Sequence, residues 1–191
     1  MDNLKNAALS FQRLFDFEYH ITLKKKDKLY YLILEFRKQD FFHLAGLHYL
    51  KDLPQLKKNR DLIFDEIINN KITEETVRKS CFYKHIEERI IGLIGLEEIL
   101  DSNKTVFRYC KNRSSFSDII AEYFLETVFL SKTNYIFIDK NEENKLYCKS
   151  FFFNENNNYR INQIYMDLIL KEKTNKKTNE KFLLFEKQIK Q

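Results

Sequence analysis

Residues 29–50 read LYYLILEFRKQDFFHLAGLHYL, and how this stretch divides decides the fold. Its first eight residues are apolar or aromatic on both faces over most of their length. A run that short predicts a strand placed centrally in a sheet. The second half changes period: Leu44, Leu47, Leu50 and Leu53 recur at helical spacing until Pro54 ends the pattern, with Asp40 as the expected N-cap. A strand therefore hands over to a helix near residue 40.

Upstream, the segment 18–24 (EYHITLK) alternates, Tyr19, Ile21 and Leu23 on one face against His20, Thr22 and Lys24 on the other. With the polar KKDK link it completes a β-hairpin with 29–36. Residues 2–15 carry Leu4, Ala7, Ala8, Phe11, Leu14 and Phe15 at helical period, capped by Asp2 or Asn3. Downstream, helices are expected at about 59–69 and 73–80, the latter opening on an imperfect capping box in which Thr73 is answered by Thr76. A longer helix is expected over 82–100, weakened by Gly92 and Gly95.

The second half reads as a strand at 104–111, a helix at 117–129 capped by Ser117, and a hairpin of 134–140 with 145–153. Residues 159–170 fit strand or helix, and 181–187 read as a last strand. The order predicts an α+β fold: an N-terminal helix and β-hairpin, a central helical block, and a C-terminal, mostly antiparallel sheet with one packed helix. The length predicts one domain, 1–191, with a helical sub-region at 55–101.

Composition narrows the function classes. Of 191 residues 43% are hydrophobic and 15% aromatic, including 18 Phe, 11 Tyr and no Trp, which marks a folded chain. Three Gly, one Pro and the absence of GxGxxG or GxxxxGK[ST] argue against a glycine-rich phosphate loop. Cys81, Cys110 and Cys148 form no CxxC pair, so neither a zinc knuckle nor a disulfide scaffold is indicated. They are expected to be reduced, in a cytoplasm. The first residues lack a signal-peptide core, and no apolar run reaches the roughly 18 residues of a membrane helix. The abundance of Lys, Asn, Ile and Phe suggests an AT-rich coding genome, bacterial or carried by a mobile element. The net charge of +5 favours an anionic partner only modestly. Basic runs at 24–28, 56–60 and 171–181 would track a phosphate backbone or simply form solvated faces.

Two of the four histidines fall in FFHLAGLHYL (41–50). In a continuous helix His43 and His48, five apart, diverge by about 140° and are poorly placed to share a metal ion; HExxH is absent. His43, where a strand meets a helix, is placed to sit at a sheet edge with a pKa within reach of neutral pH. The competing reading is a core histidine bonded to a backbone carbonyl, and His48 reads as structural. His20 faces outward and His85 reads as a surface residue. Arg108, Lys111 and Arg113, with Tyr109 interleaved, form either a nucleic-acid contact surface or a solvated strand end. Glu87, Glu88, Glu97 and Glu98 are expected to answer neighbouring lysines and arginines.

The strand, FFHLAGLHYL, the helical block, IIAEYFL and a strand ending in KSFF together resemble the phage-associated branch of the barnase, EndoU, colicin and RelE-like ribonuclease superfamily. The likeness spans roughly residues 10 to 187. The F-x-H-L-x-G-L signature of that branch is matched by Phe41, His43, Leu44, Gly46 and Leu47, and its late-strand serine by Ser150. The resemblance implies RNA cleavage without a metal or other cofactor, often as a toxin or effector, with RNA as partner and a cognate inhibitor or host protein as a second.

Such chemistry needs a proton acceptor, a donor for the departing oxygen, and positive charge against the phosphorane. His43 is the candidate for proton transfer, Lys149 or Arg108 for charge, and Ser150 for a phosphate oxygen. Tyr147 and Tyr159 are candidates to stack on a base or donate a proton. In a regular strand Tyr147 and Lys149 share a face and Ser150 opposes them, so the three act together only across a bulge or strand end. Two other readings stand beside this one: a non-catalytic RNA- or protein-binding inhibitor of a bacterial host or defence complex, and a small structural protein.

Overall fold

The computed structural model describes residues 2–154 and 158–188. Six helices, α1 (Asn3–Arg13), α2 (Lys38–Leu44), α3 (Arg60–Ile68), α4 (Glu74–Arg78), α5 (Glu87–Ile94) and α6 (Leu96–Ser102), accompany eight strands. The strands are β1 (Phe17–Lys25), β2 (Lys28–Glu35), β3 (Val106–Arg108), β4 (Tyr123–Phe129), β5 (Lys132–Lys140), β6 (Leu146–Phe153), β7 (Ile164–Asn175) and β8 (Lys181–Glu186). This is the α+β arrangement read from the sequence: helix and hairpin, helical block, then a mostly antiparallel sheet.

The sheet runs β1-β2-β6-β5-β4-β3-β7-β8, and a further antiparallel pairing of β1 with β7 closes a circuit. Among the described strands only β2 and β6 pair in parallel, through Leu34 with Leu146 and Glu35 with Tyr147. Lys145 reinforces this junction by donating to Glu35 at 2.8 Å. Because the contact is so short, β2 is interior to the sheet only at its last residues. The expected central strand is corrected accordingly: Leu29 and Ile33 are exposed, and Tyr31 is 74% exposed.

One main core joins an apolar face of the sheet to the stripes of the helices, with Tyr19, Ile21, Leu23, Ile136 and Phe151 meeting Leu4, Phe11, Phe41, Phe64 and Ile90. Phe11 is its hub. Its ring lies 5.5 Å from Phe15, 6.0 Å from Phe36, 5.7 Å from Phe41 and 6.5 Å from Phe64. Edge-on and tilted pairs of this kind add about 0.5–1.5 kcal/mol each beyond the burial itself, so they pin α1, α2 and α3 to the end of the hairpin. A second cluster, including Phe107, Phe124, Phe137, Phe152 and Tyr159, covers the other face of β3 to β6.

Local corrections have local causes. Residues 117–129 are not a helix: 117–122 are irregular and 123–129 form β4. Ser117 therefore caps no helix; its hydroxyl accepts from the Ile119 amide at 3.2 Å in a local turn. Tyr123 and Leu125 then enter the main core and Phe124 the second one, a two-sided alternation that suits a strand between two neighbours. The 82–100 helix divides into a short turn, α5 and α6, with Gly95 between the latter two; a Cβ there would collide with the Phe129 ring. The Thr73 box is complete in both directions at 3.2 Å. Among the described residues three of the four expected glutamate pairs are present: Glu87 with Lys84, Glu88 with Lys132 and Glu97 with Lys173. No described helix is long and apolar enough to cross a membrane.

Candidate active site

Helix α2 begins where β2 ends. Its expected N-cap is displaced by three residues: Arg37 occupies the cap, and Asp40 sits at the third helical position, accepting from the Arg37 amide at 3.1 Å. The same carboxylate takes Arg37 Nε at 3.2 Å and Nη2 at 2.8 Å. Burial lifts the Asp40 carboxyl above its ordinary pKa, and Arg37 opposes the rise. Phe41 and Leu44 anchor the helix in the core. Gln39 and His43, one turn apart, therefore face a cleft of about 520 Å³ between α2 and the start of β6.

From β6 comes the other wall. The ladder to β5 slips at Lys149, with Phe137 opposite Ser150 and Ile138 opposite Cys148. The slip inserts one unpaired residue, a β-bulge, which turns consecutive side chains toward one side. Tyr147, Lys149 and Ser150 consequently line the same cleft as His43. Lys149 is held by Asp139 at 2.6 Å. Arg60 and Asp118 complete the rim, and Arg60 pairs with no described carboxylate while its guanidinium lies 5.7 Å from the Phe42 ring.

The geometry corrects the expected divergence of the two histidines. The helix stops at Leu44, Gly46 turns the chain with φ +74°, and residues 47–49 form a single tight turn. His48 folds back so that its ring centroid is 4.9 Å from that of His43 and 4.1 Å from Tyr49. Burial, Arg60 and Lys149 lower the His43 pKa. Burial first, then His43, Arg89 and Arg60, push His48 down to about 4, against a hydrogen bond to the Phe42 backbone that raises it. Both shifts favour the neutral imidazole at pH 7.

That depression has a measurable consequence. Between the ordinary histidine value near 6.5 and about 4, the unfolded chain binds a proton that folded His48 refuses. The stabilisation is full above about pH 6.5 and is lost as the pH falls toward 4. Urea midpoints are expected to drop over that window, and less steeply in His48→Leu; equal slopes in both proteins would contradict the assignment.

The cleft thus gathers His43, Tyr147, Lys149 and Ser150. Tyr159 lies in an adjoining pocket that shares Tyr49, Asp118, Ile119 and Ser150 with it. Arg108 is not among the lining residues: its guanidinium donates to the Tyr123 hydroxyl at 3.0 Å and pairs with Glu122 at 2.7 Å. Lys111 and Arg113 lie on an exposed turn, Arg113 donating to the Asn162 carbonyl at 2.8 Å. His20 pairs with Glu18 at 2.6 Å, and His85 is exposed.

Sequence reasoning missed Arg37, Arg60, His48 and Arg89. Arg60 ends one of the basic runs, but nothing in its neighbours marks it as facing a histidine. Arg89 sits among glutamates and reads as their partner, whereas it packs against the Tyr49 and Phe152 rings at 5.1 and 5.3 Å. Among the described residues no three His, Cys, Asp or Glu side chains converge to hold a metal ion.

The family model described as phage-Barnase-EndoU-ColicinE5/D-RelE like nuclease4 matches residues 3–188. The chain belongs to this family. Comparison with the curated proteins and with the solved structures finds no match. Membership supports a nuclease-like function for this family member, and the F-x-H-L-x-G-L residues fall where the cleft is built: Phe41, Leu44 and Leu47 in the core, Gly46 at the turn, His43 at the opening.

Proposed function

We propose that the chain is a metal-independent endoribonuclease domain, a toxin or effector, whose cleft cleaves RNA through the substrate's own 2′-hydroxyl. The observation that carries this reading is a half-buried His43, its pKa lowered by burial, opening onto the same cleft as Arg60, Lys149 and Ser150. His43 takes the 2′-hydroxyl proton as the 2′-oxygen attacks phosphorus. The new oxygen–phosphorus bond forms while the bond to the 5′-oxygen breaks, and that oxygen leaves with a proton from the Tyr147 hydroxyl. Lys149 and Arg60 oppose the charge on the phosphorane, and Ser150 donates to a non-bridging oxygen. Asp139 supports this role by holding Lys149 in place. Tyr159 serves next door as a surface for a base. Arg108, Lys111, Arg113 and their neighbours belong to a more distant electrostatic track for the strand. A cognate inhibitor or host protein would act by covering the cleft.

The test is incubation of end-labelled RNA with the protein in excess EDTA, with product ends resolved by their phosphate. Cleavage that survives EDTA and leaves 2′,3′-cyclic phosphate is expected. Activity abolished by EDTA would refute it. Salt-sensitive RNA affinity without turnover would favour the binding reading instead.

A further inference from the structure

Beside the cleft lies a second pocket of about 430 Å³, walled by Tyr49, Phe116, Phe152 and Tyr159, with Arg89 in its lining and Ser150 on the boundary. Its composition is unusual for a protein interior. Phe116 and Tyr49 are 49% and 40% exposed, so the aromatic lip is open to solvent, while Tyr159 is buried behind it. Arg89 is largely buried, no described carboxylate pairs with it, the Tyr49 side chain hydrogen-bonds it, and its Nη1, closed off from solvent, has no hydrogen-bond partner. The Tyr49 and Phe152 rings flank the guanidinium. A buried donor without an acceptor is costly, and a ligand that reaches this one from the aromatic pocket would supply the acceptor.

We infer that this pocket binds the nucleobase next to the scissile phosphate and selects guanine, with Arg89 as the specificity-determining residue. The inference rests on the ribonuclease reading and extends it to the substrate. The aromatic walls accept the flat face of any base. The fork of Arg89 discriminates between edges: guanine offers O6 and N7 as adjacent acceptors, whereas adenine places its N6 amino group against the guanidinium, donor against donor. Ser150 on the common wall fixes the distance between the base and the phosphate it precedes or follows.

Oligonucleotides differing only in the base beside one cleavable linkage distinguish the outcomes. Guanine is expected to be cleaved about ten-fold or more faster than adenine, at the low end of what a bidentate arginine supplies. In Arg89→Met the two rates should converge to within about two-fold, and Arg89→Lys, which keeps the charge and loses the fork, should also lose the ranking. Calorimetry with guanosine and adenosine 3′-monophosphates on the unaltered protein reads the pocket without turnover and without depending on the folding of a variant. Cleavage with no base ranking and equal mononucleotide affinities would overturn this inference and leave the nuclease standing. Selective binding of the guanosine nucleotide with no cleavage of any RNA would support the pocket while the nuclease reading falls. Neither cleavage nor selective binding would overturn both.

Discussion

His43→Ala is expected to lower RNA cleavage by about 10²–10⁴-fold, the usual contribution of one positioned proton-transfer group, with little loss of fold. The ring is half-buried at the mouth of the cleft and makes its closest described ring contact with His48, so removing it opens space already accessible to solvent. The residual rate would come from Tyr147, Lys149, Arg60 and Ser150. Because burial and the two neighbouring cations lower its pKa below the ordinary histidine range, the unaltered protein should hold its rate through neutral pH and lose it only on the acid side, as the imidazole takes up its proton. Initial rates across pH 4.5–8, with circular dichroism of the variant, check both parts. A variant retaining more than a tenth of the rate would remove His43 from the chemistry.

Gly46→Ala should have the largest effect on stability, about 2–5 kcal/mol, from two separate causes. The residue stands at φ +74°, where an L side chain costs about 1–2 kcal/mol. A Cβ would also lie 2.7 Å from Ile86 Cγ2 and 3.1 Å from Arg89 Cδ; Ile86 is wholly buried, and overpacking a closed site costs about 1–3 kcal/mol. The same turn brings His48 against His43 and seats Arg89 beneath Tyr49. Cleavage should therefore fall together with the urea midpoint. A midpoint within about 0.5 M of the unaltered protein would show that neither cause operates.

The outline of the fold was legible because each element's period matched its burial. The alternation of Tyr19, Ile21 and Leu23 and the stripe of α1 can be read from local pattern, since one face of each is committed to the core; the hairpin of β5 and β6, buried on both faces, is read from the polar NEEN turn between two short apolar runs. The reading failed at β4, which is also buried on both faces. There the apolar run satisfies a helical and a two-sided strand template alike, and only the presence of β3 and β5 on either edge decides. It also failed at Gly46, where a helical leucine repeat continues across a residue whose backbone turns left-handed.

For the site, the residue types and the handover from strand to helix around His43 were available from the chain itself: a histidine among phenylalanines and leucines, a serine and a lysine in adjacent positions, a tyrosine two residues before that lysine. Their convergence was not. It depends on the parallel contact of Leu34 and Glu35 with Leu146 and Tyr147, over a hundred residues away, and on a bulge at Lys149 that no local propensity specifies. Local sequence determined which elements form, because propensity and amphipathic period act over a few residues. Tertiary packing decided which charges meet at the imidazole, because burial and electrostatic coupling depend on distance in space.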